Sequence, residues 1–393
     1  MPATKIPNLR LSNGCSTPVI AFATASMGDR DDTKTEVKEP IKFDTASLYG
    51  TEKSLGKAIE EAVKHGLVGS RNELFITSEL WTPDNHPHVV IPAVHKSLDI
   101  PVIGFGTASM GDRDATKTAV IEAIKLGYRL FDTASLYGTE NSLGEAIEEA
   151  LKQGLVGSRE ELFITSKLWI TDNHPHLVVP ALKKSLELLK LKYIDLYLIH
   201  WPISSKPGSA IVPTKETLVA FDMKGVWAAM EEALKLGLTK SIGVSNFSIK
   251  KLQNLLSFAK IPPSVNQVEM NPVFRQKKLR EYCKEKGIVI TAYSPLGAPG
   301  ARRGSNRVVD NEILNDIAKS HGKTVAQVSL RWLYEQGVSF VVKSYNKERM
   351  KQNLEIFDWS LTESDLEKIS HEIKQHRVSR GPPSLEDIWE GEE

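Results

Sequence analysis

From Pro101 onward, short β-branched and aromatic runs alternate with stretches whose apolar residues recur every three to four positions. The short runs read as buried strands, the longer periodic stretches as helices with one face on a core. Eight runs qualify: VIGFGTA from Val102, YRLFDTA from Tyr128, LFITSKL from Leu162, IDLYLIHW from Ile194, SIGVSNF from Ser241, SVNQVEM from Ser264, VITAYSP from Val289 and SFVVKSY from Ser339. Helical stretches such as NSLGEAIEEALKQG and TVAQVSLRWLYEQG lie between them and close on glycine, a common helix stop. Eight β-α units in roughly 270 residues is the arithmetic of a closed barrel. An open doubly wound sheet would want G-x-G-x-x-G after its first strand; here Gly104-Phe-Gly106-Thr-Ala-Ser109 lacks the third glycine. The predicted fold class is therefore α/β, a (β/α)₈ TIM barrel with an N-terminal partial duplication of its first βαβα units.

The duplication is visible by eye. Pro18–Lys42 recurs at Pro101–Lys125, and Phe43–Leu98 matches Phe131–Leu186 at 44 of 56 positions. The first copy lacks any counterpart of Leu126–Leu130 (LGYRL), which predicts a truncated second strand. It sets Pro40 inside a helical pattern, where an interior proline costs about 3 kcal/mol. Ala21 and Ala23 replace Gly104 and Gly106, which predicts a lost close approach of backbone to ligand. Glu79 stands in place of Lys167. The division expected is a barrel-sealing hairpin at residues 1–19, a degenerate appended repeat at 20–100, a barrel at 101–372 and a tail at 373–393.

Lys and Arg total 50 against 49 Asp and Glu, which argues against a nucleic-acid or anionic-membrane partner. No apolar run reaches the roughly 18 residues of a bilayer span, and the opening segment has no secretory apolar stretch. Cys15 and Cys283 have no metal or redox spacing. These features predict a cytoplasmic protein.

Polar residues stand at the C-terminal ends of the candidate strands: Asp132, Lys167, His200, Ser245, Asn246, Gln267, Tyr293, Lys343 and Ser344. Barrel active sites are assembled from such positions. A lysine inside LFITSKL needs a partner, because an unpaired buried charge is costly; Asp132 on the neighbouring strand is the natural one. The ordered segments FDTASLYGTE, LFITSKLW, IDLYLIHWP, SIGVSNF, VNQVEMNP, TAYSPLG and VVKSYNKERMKQN resemble the signature segments of the aldo-keto reductase family. The resemblance is closest to its plant branch, with chalcone reductase-like and codeinone or methylecgonone reductase-like members. It covers Pro101 to about Ser370, plus IPNLRLSNGCSTPVI, which is similar to the family's barrel-sealing hairpin.

The resemblance implies NADPH-dependent reduction of a ketone or aldehyde by a monomer in plant specialised metabolism. Tyr137 is implied as proton donor, with Lys167, held by Asp132, lowering its pKa, and His200 orienting the carbonyl. It further implies that Ser245, Asn246 and Gln267 hold the carboxamide and that Tyr293 stacks on the nicotinamide. Lys343, Ser344 and Arg349 match the grip on the 2′-phosphate, Gln352 and Asn353 the adenine side, and Thr107, Ser294 and Leu296 complete the cofactor set. Trp169, Trp201 and Ala108 are implied as substrate wall. Gly300 departs from relatives that carry an acidic residue in the loop over the cofactor.

Each residue has a blander reading. Tyr137 alone would be a packing tyrosine, and only the company of Asp132, Lys167 and His200 makes it an acid. Lys343 and Arg349 could be a solvated helix face, and Trp169 and Trp201 plain core. The pairs His86/His88 and His174/His176 lack a third ligand, so no metal is expected. The rival function is a non-catalytic binding or regulatory barrel, against which the complete tetrad argues. A duplication without function is the third reading for residues 20–100.

Overall fold

The computed structural model describes residues 99–108, 113–300, 304–378 and 388–389, together with the backbone of six short strands between residues 8 and 92. Pro40, Tyr49, Cys15, His86, His88 and most of the tail beyond residue 378 lie outside the described residues. The chain divides into two compact units, Met1–Asn85 and His86–Glu393.

In the first unit, Asn8–Arg10 pairs antiparallel with Ser16–Pro18. Phe22–Ala23, Lys42–Ala46 and Phe75–Glu79 form a three-stranded parallel sheet. The expected truncation of its second strand is not what forms. That strand keeps five residues, Lys42 among them, whose counterpart Lys125 lies in the last turn of a helix.

In the second unit, eight parallel strands close into a barrel: β1 (Ile103–Gly106), β2 (Leu130–Asp132), β3 (Phe163–Leu168), β4 (Leu196–Ile199), β5 (Ile242–Ser245), β6 (Val265–Glu269), β7 (Val289–Tyr293) and β8 (Ser339–Val342). The first barrel strand thus comes from the second copy. Ten helices are found among the described residues: α1 (Arg113–Leu126), α2 (Glu140–Lys152), α3 (Val178–Leu189), α4 (Met223–Lys235), α5 (Ile249–Leu256), α6 (Lys277–Lys286), α7 (Glu312–His321), α8 (Val325–Glu335), α9 (Lys347–Leu354) and α10 (Glu363–His371). Local chemistry marks their ends. Thr324 and Gln327 form a capping box on α8, and Asn346 caps α9 by accepting from the Arg349 amide at 2.9 Å.

Side chains alternate along a strand, so every second residue enters the barrel. Near the strand starts these are apolar, with Leu130, Phe163, Leu196, Leu198, Val265, Val289 and Val341 packed together. Two residues further along the same rows come Asp132, His200, Gln267 and Lys343, and four residues further Lys167 and Tyr293. An oily floor thus carries a polar mouth. Ile100, 1% exposed, also packs into that floor. It comes from Asp99–Pro101, which pairs antiparallel with Val90–Pro92 just ahead of β1. Burying such a side chain is worth about 1.5–3 kcal/mol.

Gly104 serves this interior. A Cβ there would meet Leu130 Cγ at 2.5 Å and Val341 Cγ1 at 3.0 Å. The glycine makes room for two floor side chains, not for a ligand as the sequence suggested.

Candidate active site

Asp132 is the hub. Its Oδ1 accepts from the Lys167 ammonium at 2.5 Å and its Oδ2 from Gln267 Nε2 at 2.8 Å. Lys167 is fully buried and also donates to the Thr133 carbonyl at 3.0 Å. Tyr137 stands on a short 3₁₀ turn after β2, Ser135–Tyr137, which Gly138 closes at φ 65°, a left-handed conformation natural to glycine. The turn is tied down by Ser135 Oγ, which donates to the Lys167 carbonyl at 3.1 Å. The Lys167 ammonium lies 5.1 Å from the Tyr137 ring centre. His200 meets the Tyr137 ring edge-on at 5.6 Å and the Trp169 ring at 5.1 Å. The four residues expected to act together share one mouth.

Burial pushes the Tyr137 phenol up, and the negative charge of Asp132 adds to the shift. The net upward shift runs against the expected lowering by Lys167, whose ammonium is paired with Asp132 at 2.5 Å. Burial also pushes Lys167 down, opposed by Asp132, and pushes His200 well below the ordinary imidazole value, helped by the Lys167 charge. His200 is therefore neutral near pH 7, and its Nδ1 makes no hydrogen bond among the described residues.

The residues expected around a nicotinamide form one connected network. Ser245 Oγ donates to the Gln267 carbonyl at 2.8 Å, and Asn246 Nδ2 donates to the His200 carbonyl at 2.9 Å and to Ser245 Oγ at 3.1 Å. Tyr293 Oη donates to Asn246 Oδ1 at 2.7 Å. Asn246 and Ser294 both sit at positive φ, 63° and 50°. Non-glycine residues are rare there, and such strain gathers at functional sites. Thr107 is buried and joined to Thr139 at 2.9 Å, while Leu296 is partly buried.

The phosphate-end residues lie at the end of β8 and the start of α9. Lys343 and Arg349 make no ion pair among the described residues, whereas their neighbour Lys347 is paired with Glu122 at 2.8 Å. Arg349 Nε reaches Ser344 Oγ at 3.4 Å. Two cations without a carboxylate, beside a hydroxyl, are a donor set that fits a phosphate. Asn353 is buried and Gln352 exposed.

Trp169 and Trp201 line an apolar patch with Ile170, Ile203 and the tail residues Ile388 and Trp389. Trp389 lies 6.1 Å from Trp201 and under the Arg377 guanidinium at 3.7 Å, and Lys251 Nζ donates to the Ile388 carbonyl at 2.7 Å. Sequence reasoning set residues 373–393 apart as a tail without singling out this pair, although Ile-Trp is the apolar break in an otherwise acidic stretch. It also missed Thr139 and Glu140. Glu140 is 2% exposed and accepts from Ser166 Oγ at 2.6 Å, one residue from Lys167. Ala108 is exposed and next to residues outside the description. His174 Nε2 is within 2.8 Å of the Ser205 carbonyl, and no metal-holding group is found among the described residues. An open cleft of about 690 Å³, lined by Val273, Asn306, Arg307 and Lys374 among others, contains none of the expected site residues.

Comparison with known proteins agrees with this geometry. The Aldo/keto reductase family profile matches residues 102–373. The NAD(P)H-dependent 6'-deoxychalcone synthase of Glycine max is 61% identical over 308 residues, 77% of this chain and 97% of that protein. The (1S)-1,7-diacetoxy-luvungin A aldo-keto reductase of Citrus sinensis is 57% identical over 302 residues, 75% of this chain and 95% of that one. Among solved structures, the aldose reductase from Schistosoma japonicum superposes with a TM-score of 0.67 at 36% identity, covering 73% of this chain and 93% of its own.

Proposed function

The chain belongs to the aldo/keto reductase family and is an oxidoreductase that reduces carbonyl groups with NADP(H), and we propose that Tyr137, Lys167, Asp132 and His200 carry the reaction on a ketone or aldehyde of plant specialised metabolism. The observation behind this assignment is the Asp132 carboxylate, bonded at once to Lys167 and to Gln267. It fixes the charge beside Tyr137 and joins the catalytic residues to the cofactor residues.

NADPH, when bound, supplies the hydride to the carbonyl carbon. Tyr137 gives its phenolic proton to the carbonyl oxygen, completing the alcohol. Its raised pKa keeps that proton in place until substrate arrives. The Lys167 ammonium, 5.1 Å from the ring centre, then stabilises the phenolate left behind. A neutral His200 can offer one N–H to the carbonyl oxygen without competing for the proton. Ser245, Asn246 and Gln267 would hold the carboxamide and Tyr293 would stack on the nicotinamide. Lys343, Ser344 and Arg349 would take the 2′-phosphate, Gln352 and Asn353 would face the adenine, and Thr107, Ser294 and Leu296 would line the path between. Trp169, Trp201 and Trp389 form the substrate wall. No helix among the described residues is long and apolar enough to cross a membrane; the protein is proposed to work as a cytoplasmic monomer, which gel filtration checks.

Tyr137→Phe tests the assignment. We expect kcat for ketone reduction to fall by about 10²–10⁴-fold, the usual worth of a general acid, with NADPH affinity within about twofold of the parent on the same scale. Activity within threefold of the parent would mean that another group is the acid.

A further inference from the structure

We propose that Tyr345 is a selectivity residue for NADPH over NADH, acting by positioning Lys343. The inference rests on Lys343 serving the 2′-phosphate, as proposed above. Tyr345 follows Ser344 directly, at the turn from β8 into α9. Two contacts hold it. Its hydroxyl is 2.7 Å from the hydroxyl of Thr116 on α1, the first barrel helix, and Thr116 is fully buried. Its ring lies under the Lys343 ammonium, 5.3 Å from the ring centre.

Lysine is a flexible point charge with a large rotamer entropy to lose on binding. Lys343 is exposed and has no acidic partner among the described residues to hold it. The tyrosine ring is the group the structure puts beneath it, and a cation over a ring is attracted even at exposed sites. The Thr116 bond fixes the ring and spans from α1 to the β8–α9 turn, so the ammonium is held against the barrel before any ligand arrives. Lys347 cannot substitute, because Glu122 already holds it at 2.8 Å. The effect belongs to the 2′-phosphate alone, since a ligand without it gains nothing from an oriented Lys343.

The test reads binding as well as turnover. Calorimetric affinities for NADPH, NADH and 2′,5′-ADP are measured on the parent, Tyr345→Phe, Tyr345→Ala, Lys343→Ala and the Lys343→Ala/Tyr345→Ala double variant. Tyr345→Ala should weaken NADPH and 2′,5′-ADP by about two- to fivefold and leave NADH unchanged. Tyr345→Phe keeps the ring and should lose less than half of that on a logarithmic scale. On the Lys343→Ala background, Tyr345→Ala should add nothing. If Lys343→Ala leaves the NADPH/NADH ratio unchanged, the phosphate assignment itself falls. If Lys343→Ala collapses the ratio but Tyr345→Ala weakens both nucleotides equally, or keeps its full effect on the double background, Tyr345 does not act through Lys343 and the proposal is overturned.

Discussion

The two copies of the repeat begin with the same register and end in different structures. In the first unit, Phe22 pairs with Phe43, Ala23 with Asp44 and Asp44 with Thr77. In the barrel, the equivalent residues Phe105 and Phe131, Gly106 and Asp132, and Asp132 and Thr165 pair identically. The first sheet stops at three strands and the second closes at eight. The copies then part completely. Val178–Pro180 opens helix α3, where a proline in the first turn is harmless, while its counterpart Val90–Pro92 is a strand of the hairpin that delivers Ile100 to the barrel floor. Near-identical sequence takes two structures; Pro101 stands where the helix has Leu189 and forbids the last helical turn. Local pattern sets strand pairing, and the chain beyond each repeat decides which copy becomes an enzyme.

The largest effect should come from exchanging the residue that distinguishes the sites. Lys167→Glu puts a second carboxylate beside Asp132 and leaves buried charge unpaired, which typically costs about 3–5 kcal/mol. We expect activity below about one-thousandth of the parent. Because the glutamate variant can unfold, Lys167→Met, which keeps volume without charge, is assayed beside it with circular dichroism. A folded Lys167→Met with parental kcat would remove Lys167 from the chemistry. The reciprocal Glu79→Lys, in a sheet that supplies none of the barrel strands, should leave kcat within about twofold.

The floor offers a second way to break the comparison. The first copy carries Ala21 in place of Gly104 and has lost Leu130. These two differences are complementary, since the Cβ missing from Gly104 would occupy the space of Leu130 Cγ. Gly104→Ala should therefore destabilise by about 1–3 kcal/mol through overpacking, and Leu130→Ala by about 2–5 kcal/mol through a cavity. The double variant should cost less than the two together by at least about 0.5 kcal/mol. Chemical denaturation measures all three, and strict additivity would show that the two positions do not compete for space.

Much of this was legible in the sequence because barrel strands are short, fully buried and punctuated by glycine-ended helices, so eight runs could be counted. The Lys167–Asp132 pair was legible because Lys167 in an apolar strand demands a partner and Asp132 is the acid one strand away, whereas the roles of Tyr137 and His200 entered only through the resemblance to the family. The direction of the Tyr137 shift was not legible, since it depends on how deeply the fold buries the phenol beside Asp132. Nor was Ile100 legible as a floor residue. The segment HVVIPAVHKSLDIP repeats a helix, Pro101 removes only its last turn, and nothing local shows that Val90–Pro92 would pair with Asp99–Pro101 instead. Nothing in the sequence singled out Tyr345, whose contacts with Thr116 and Lys343 only the fold brings together.

A smaller effect is expected from pH, and it sharpens the contrast between a paired lysine and a pair of acids. The Tyr137 pKa is raised, so its proton is retained past the ordinary phenol value of about 10, and reduction should not fade on the alkaline side below that. The His200 pKa is lowered, so the ring stays neutral below its ordinary value of about 6.5. The kcat/KM for reduction should accordingly be flat within twofold from about pH 6.5 to 9.5. An inflection inside this window that disappears in Tyr137→Phe would mean that Lys167 does lower the phenol.

The smallest effect should come from removing the first unit altogether. Every strand of the barrel, the four proposed catalytic residues and the floor residue Ile100 lie in the unit that begins at His86. A chain starting at His86 keeps Val90–Pro92 paired with Asp99–Pro101 and so keeps Ile100 in place. Its kcat/KM and its midpoint of denaturation should match the full chain within the scatter of the assay. A chain starting at Pro101 loses Ile100, and should lose about 2–5 kcal/mol of stability, the cost of emptying a large apolar site, while the chemistry survives in the folded fraction. The two truncations together separate what the first unit contributes from what the hairpin contributes. If the chain from His86 folds but reduces no substrate that the full chain reduces, residues 1–85 complete the working site, and the first copy is a functional part of the enzyme rather than a dispensable relic of the duplication.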